Sequence, residues 1–264
     1  MKAKKNHNVM NRVIQIGLIV VIVFSAYKIG ENWIAGIQAR EFYDTLQAQV
    51  QKEAQAIAER DLDSEVAALR PKYPPLELDL ASLKAMNDDF RGWLYYPALG
   101  VNYPVVQAED NEYYLRRSFE GDYLRAGCLF MDCEASEDFT DRNAFIFGHN
   151  MRDGSMFGRF KELTEDTTIC DQNPYFYIYT EDTVYTYEIF AYYQVKEDSE
   201  RYMTFTSDSS YDYYVKWAKD NSLYEKDMDL SERNNIMTLS TCYGTSGSDK
   251  RLLVHGALIR TEAY

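Results

Sequence analysis

The run Asn235-Ile-Met-Thr-Leu-Ser-Thr-Cys-Tyr-Gly-Thr-Ser-Gly-Ser-Asp-Lys-Arg-Leu-Leu-Val-His-Gly-Ala-Leu-Ile-Arg260 holds two apolar stretches of strand length around a loop of Gly, Ser, Thr and Asp. Branched and long apolar side chains bounded by such turn residues read as β-strands, here Asn235–Thr241 and Arg251–Arg260. Working back along the chain, the same signature recurs at Gly92–Tyr96, Asn102–Gln107, Ala126–Met131, Asn143–Gly148, Tyr175–Thr180 and Thr183–Val195. Eight strands at this spacing, with short helices between them, predict a mainly β barrel or sandwich rather than a parallel βαβ sheet. The helices are expected at Asp79–Asp88, with Asp79 as N-cap, and at Asn111–Ser118, Ser155–Leu163 and Tyr211–Asn221.

Upstream of this body the character changes. From Glu31 to Arg70 there is no proline, and apolar residues recur at Phe42, Leu46, Val50, Ala54 and Ile57, the three- and four-residue steps of a helix. Pro71, Pro74 and Pro75 end it, so the segment reads as a stalk or as a helix laid against the domain. Before it, Val13–Tyr27 is strongly apolar and is preceded by Lys2, Lys4, Lys5 and Arg12. A basic flank on an apolar run orients it with the flank in the cytoplasm. The expected division is a cytoplasmic tail at 1–12, a transmembrane signal-anchor at 13–30, a helical stalk or linker at 31–75 and a catalytic domain at 76–264. That places a single-pass protein in the cell membrane with its body outside. A cleaved signal peptide is the competing reading, but the small-residue pattern that cleavage needs is poor here.

Composition narrows the function. The chain has 264 residues, 46% hydrophobic and 27% charged, which is globular rather than disordered. Its net charge of −14 argues against nucleic acid, whose phosphates need a Lys/Arg-rich face. Three histidines and four cysteines without a CxxC pair predict no metal site, and nothing implies a cofactor. Cys128, Cys133 and Cys170 leave their redox state open.

Two residues could carry chemistry together. Cys242 ends one apolar strand, and His149 follows another, Asn143–Gly148. Strand ends are where a rigid scaffold presents reactive groups. A cysteine attacks as thiolate, a form that a nearby imidazolium or guanidinium favours, and Arg251 opens the next strand nine residues after Cys242. Taken alone, Cys242 reads equally well as a small buried hydrophobe, and His149 as a structural loop residue. His255, in mid-strand, reads as a packed histidine.

Several stretches together resemble the class B sortases: Asn102-Tyr-Pro-Val-Val-Gln107, Gly127-Cys-Leu-Phe-Met-Asp132, Phe147-Gly-His-Asn150 with Met156-Phe157, and Ile236-Met-Thr-Leu-Ser-Thr-Cys242 before a strand opened by Arg251. The resemblance covers about residues 76–264 in family order. It implies a closed eight-stranded sortase-type β-barrel with N-terminal helices and a helix inserted before the cysteine strand, for which Tyr211–Asn221 is the candidate. It further implies a cysteine transpeptidase that cleaves a C-terminal sorting signal after Thr and passes the protein, through a thioester, to an amine of the cell wall. Its partners would be surface proteins bearing that signal and a peptidoglycan precursor amine. Carried over by motif position, Cys242 is the nucleophile, His149 the acid/base and Arg251 the oxyanion stabiliser. Asn102 and Ser240 fall near the substrate groove, and Tyr202 and Met203 near the pocket for the residue ahead of the Thr. The sequence departs from the family where an acidic residue often follows the cysteine, since Tyr243 and Gly244 stand there. The rival readings are a pilin-polymerising sortase, a hydrolytic cysteine protease using the same pair, and a non-catalytic surface-binding module.

Overall fold

The computed structural model describes residues 2–58, 76–245 and 247–264. Eight strands form a closed barrel: β1 (Phe90–Tyr96), β2 (Val101–Val106), β3 (Leu129–Met131), β4 (Asn143–Phe147), β5 (Tyr175–Tyr179), β6 (Thr183–Lys196), β7 (Ile236–Cys242) and β8 (Lys250–Ala263). Their order around the barrel is β1-β2-β3-β4-β7-β8-β6-β5. β2–β3 and β4–β7 run parallel, and the remaining neighbours antiparallel. Closure leaves no strand edge unpaired and settles the choice between barrel and sandwich. Leu94, Val105, Leu129, Ile146, Ile178, Leu239 and Val254 fill the interior, all fully buried.

Helix α1 (Lys2–Ala58) is continuous from the basic N-terminus through the apolar run to the barrel. Its first half exposes Val13, Ile16, Val20, Phe24 and Tyr27, and one segment of it is long and apolar enough to cross a membrane. Its second half buries Ala35, Ala39, Tyr43, Leu46 and Val50, a stripe at three- and four-residue steps that joins the barrel's core. Tyr43 donates its hydroxyl to the Gly127 carbonyl at 2.7 Å. The prolines expected to end this helix, and residues 59–75 generally, lie outside the described residues.

The small helices differ from expectation in instructive ways. α2 (Leu80–Met86) starts where Asp79 caps it, its carboxylate accepting from the Ser82 amide at 2.9 Å. Asn111–Ser118 forms only a 3-10 turn at Tyr113–Arg116. Ser155–Leu163 is not a helix at its start: Met156 has φ +53°, and a Cβ on Gly158 would meet the Met151 carbonyl at 2.2 Å. Helix α3 therefore spans only Lys161–Glu165, and α4 (Thr168–Gln172) follows unannounced. α5 (Asp208–Asp220) begins three residues ahead of the expected Tyr211 because Ser207 and Ser210 form a reciprocal cap. It seals β6 with Tyr211, Tyr214 and Ala218, in a second apolar cluster with Phe190, Tyr193 and Leu253.

Candidate active site

The parallel pairing of β4 and β7 decides the geometry. Phe147 lies opposite Ser240, the Gly148 amide donates to the Ser240 carbonyl at 3.1 Å, and Thr241 Oγ1 donates back to the Gly148 carbonyl at 2.8 Å. Just past the end of that register, His149 and Cys242 line one cavity. Side chains two apart share a face of a strand, so Ser240 and Cys242 of β7 point the same way, and Phe147 and His149 line the same cavity with them. On the other flank, β7 pairs with β8, and Cys242 faces Arg251 directly. The cysteine thus stands between an imidazole and a guanidinium, each delivered by a neighbouring segment of the same chain. Asn150 closes the arrangement by donating its amide to the Cys242 carbonyl at 2.9 Å.

Gly148 makes this approach possible. A Cβ there would run into Leu129 and Phe157 at 2.5 and 2.6 Å, so the turn into His149 is packed against the core without space for a side chain. The His149 Nε2 atom lies 2.7 Å from the Leu115 carbonyl. A carbonyl accepts only, so Nε2 carries the hydrogen and Nδ1 is left to exchange a proton. Burial lowers the His149 pKa below the ordinary histidine value; the Leu115 carbonyl opposes this, and Arg116 and Arg125 add to it. The resting imidazole is therefore neutral at pH 7 and, once protonated, a good proton donor.

His149, Cys242 and Arg251 line one cavity of about 420 Å³ with Ser240, Tyr202, Leu115 and Glu197. Tyr202 exchanges a hydrogen bond of 2.9 Å with Ser240 Oγ, and its ring lies against Phe145 and Phe147. Of the sequence-predicted residues, five gather here: Cys242, His149, Arg251, Ser240 and Tyr202. Two do not. Asn102 is turned to α1 and the barrel: its Oδ1 accepts from Trp93 at 2.6 Å and its Nδ2 donates to Gln47 at 3.1 Å. Met203 packs into the α5 cluster, and its carbonyl accepts from Asn143.

Sequence reasoning did not single out Glu197. It follows the last residue of β6, next to the strand that carries Arg251, and its carboxylate takes Nη2 of that arginine at 2.5 Å. The other guanidinium nitrogen Nη1 donates to the carbonyls of Ser248 and Lys250. Only the β6–β8 pairing, between strands over fifty residues apart in the chain, reveals the contact. Leu115 was missed for a similar reason, since its carbonyl meets His149 across 34 positions. The four cysteines are free thiols, with Cys128 and Cys170 buried, Cys133 half-buried and Cys242 exposed.

The sortase domain family matches residues 94–259. Sortase B of Listeria monocytogenes is 31% identical over 242 residues, covering 90% of this chain and 92% of that protein. Among solved structures, Clostridium perfringens sortase B superposes with TM-score 0.64 at 32% identity, over 68% of this chain and 99% of that one. A Staphylococcus aureus sortase B–substrate complex superposes with TM-score 0.70 at 25% identity, over 86% and 99%.

Proposed function

The chain belongs to the sortase family, a family of cysteine transpeptidases, with class B relatives along most of its length, and from that membership we propose a specific reaction. The enzyme cleaves a C-terminal sorting signal after Thr and transfers the protein to an amine of the cell wall. The observation that supports it is the strand register that sets Cys242 between His149 and Arg251.

His149 Nδ1 takes the proton of the Cys242 thiol, the thiolate attacks the Thr carbonyl, and the oxyanion that forms is stabilised by the Arg251 guanidinium. The C–N bond breaks as His149 gives its proton to the departing amine, leaving an acyl thioester. The acceptor amine then attacks that thioester, His149 takes the proton the amine sheds, and the Cys242 thiolate leaves. Ser240 and Tyr202 form the wall against which the donor peptide lies, while Asn102 serves the α1 contact instead of the groove. Residues 13–30 anchor the protein with 1–12 in the cytoplasm, the stalk at 31–75 carries the catalytic domain at 76–264 outside the membrane, and the basic flank at Lys2, Lys4, Lys5 and Arg12 supports this orientation.

The test is turnover of a peptide carrying a Thr-containing sorting signal, with and without an added amine. The wild type should divert product from acid to amide, and should form a mass-detectable adduct on Cys242. Cys242→Ala should lose both, by a factor of 10³ or more as an order-of-magnitude expectation for a nucleophile. Unchanged turnover in that variant would sink the mechanism.

A further inference from the structure

Residues 197–206 lead from β6 to Ser207, the N-cap of α5. Past Glu197, Tyr202 alone of these described residues lines the reaction cavity. A side chain carried on such a connection is only as well placed as the backbone on either side of it. Both sides are tied. After Tyr202, the Met203 carbonyl accepts from Asn143 Nδ2 at 2.9 Å, and the buried Phe205 ring meets Tyr211 and Tyr214 of α5 edge-on. Before it, the Arg201 carbonyl accepts from Tyr214 Oη at 3.2 Å. The Arg201 guanidinium lies 4.1 Å from the centre of the Trp217 ring and 5.5 Å from that of Tyr213, one turn away on α5. Trp217 in turn stands edge-on to Tyr193 of β6 at 5.0 Å. Arg201 does not line the cavity. Its Nη1 is buried and, among the described residues, has no hydrogen-bond partner. A buried donor left unpaired is disfavoured, so what keeps the guanidinium inside is its stack on the indole, for which a planar, weakly hydrated head is suited.

We propose that Arg201 is a positioning residue for the donor peptide: its stack on Trp217 sets the place of Tyr202, and through Tyr202 the wall against which the donor lies. Like the roles of Ser240 and Tyr202, this rests on the transpeptidase reading above. Tyr202 keeps its hydroxyl on Ser240 Oγ and its ring on Phe145 and Phe147. Freeing the backbone one residue upstream lets the ring leave that face. The wall must then be ordered anew each time a donor binds, which weakens binding without touching Cys242 or His149. Trp217 and Tyr193 carry the restraint back to β6, so α5 acts as a splint between the barrel and the donor wall.

The experiment uses the full chain in phosphatidylcholine vesicles and follows formation of the Cys242 thioester by mass over a range of donor peptide concentrations. No thioester in the wild type would refute the transpeptidase reading rather than this one. Arg201→Ala should raise the donor KM roughly three- to tenfold and change kcat by less than about twofold, the pattern of lost binding rather than lost chemistry. Iodoacetamide should still alkylate Cys242 at the wild-type rate. Trp217→Leu leaves the arginine and removes the ring under it, so it should reproduce the rise in KM, while Trp217→Phe restores a flat face and most of the wild-type value. In a Tyr202→Ala background, Arg201→Ala should move KM by less than about twofold, because the residue through which it acts is gone. Should Arg201→Ala be unfolded by circular dichroism at the assay temperature, Arg201→Gln takes its place and is judged by the same outcomes. A donor KM unmoved in the arginine variant and in Trp217→Leu, a rise of the same factor with and without Tyr202, or a changed alkylation rate would overturn the proposal.

Discussion

Arg251 is committed before any substrate arrives: Glu197 holds one guanidinium nitrogen and two backbone carbonyls hold the other. The ion pair is partly exposed, with 21% of the arginine and 55% of the glutamate side chain accessible. Such pairs contribute about 1 kcal/mol or less, so a substrate oxygen can displace Glu197 at small cost. Until then the carboxylate cancels much of the positive charge facing Cys242. Glu197→Gln keeps the side chain's shape and removes that cancellation, leaving a net cation beside the sulfur to stabilise negative charge on it as it reacts. Alkylation of Cys242 by iodoacetamide at pH 7 should accelerate about three- to tenfold, as an order-of-magnitude expectation from the charge removed. An unchanged rate would mean that Arg251 does not act on the sulfur through its charge. At this scale the sequence was informative where a residue's place depends on its own strand. Cys242, His149 and Arg251 stand at strand ends that turn residues mark. Glu197, Leu115 and the true setting of Asn102 depend on partners 34 to 55 positions away, and local pattern carries no trace of such partners.

The strands were legible one by one, because turn residues bracket each apolar run, but their order was not. Nothing local says that β4 pairs with β7 or β6 with β8. Short helices failed for another reason: five residues, as in α4, are fewer than the two turns that make an apolar period visible. What the order builds is clearest at His255 in the middle of β8. Thr238 Oγ1 lies 2.9 Å from His255 Nδ1 and donates to Asn143 Oδ1, while Asn143 Nδ2 donates to the Met203 carbonyl. With the threonine's one hydrogen spent on Asn143, His255 Nδ1 must donate, and Nε2 is left bare among the rings of Phe190, Tyr193 and Tyr214. Full burial accordingly pushes its pKa down to about 3. An unfolded histidine titrates near 6.5. Below about pH 6.5, then, the unfolded chain takes a proton that the folded chain refuses, and stability falls as pH drops from there toward 3; above it His255 contributes no slope. Between pH 6 and 5 this amounts to about 1.2 kcal/mol, close to the limiting slope of about 1.4 kcal/mol per pH unit. His255→Gln should shed that part of the slope when urea midpoints are measured across the range, whatever its effect on stability at neutral pH. Equal slopes in both proteins would show that the buried imidazole is not the titrating group.

Across the whole molecule, α1 ties the apolar segment to the reaction centre. Its residues 35–50 complete the barrel's outer core, and its polar side chains reach the loop that follows His149: Arg40 pairs with Asp153 at 3.1 Å, and Gly36 lies so close to that carboxylate that a Cβ would meet it at 2.7 Å. Tyr43 stacks edge-on to Tyr103, whose hydroxyl accepts from the Met156 amide in the same loop. The helix therefore braces His149 from outside as the Gly148 packing does from within. Two truncations separate the part of the exposed apolar run from that of the residues packed on the barrel. A chain beginning at Glu31 loses the exposed apolar run and keeps every one of these contacts, so it should remain folded and form the Cys242 thioester at the full chain's rate. A chain beginning at Leu76 strips Tyr43, Leu46 and Val50 from the core. Losing burial worth about 1.5–3 kcal/mol for each such side chain removes roughly 5–9 kcal/mol, a large share of the 5–15 kcal/mol that holds an ordinary domain together. Its melting temperature should fall by about 10 °C or more, and thioester formation should fall with it even at temperatures where circular dichroism still reports the barrel. Equal melting temperatures for the two truncations would make α1 a tether only, and would leave the loop after His149 to be held by the barrel alone.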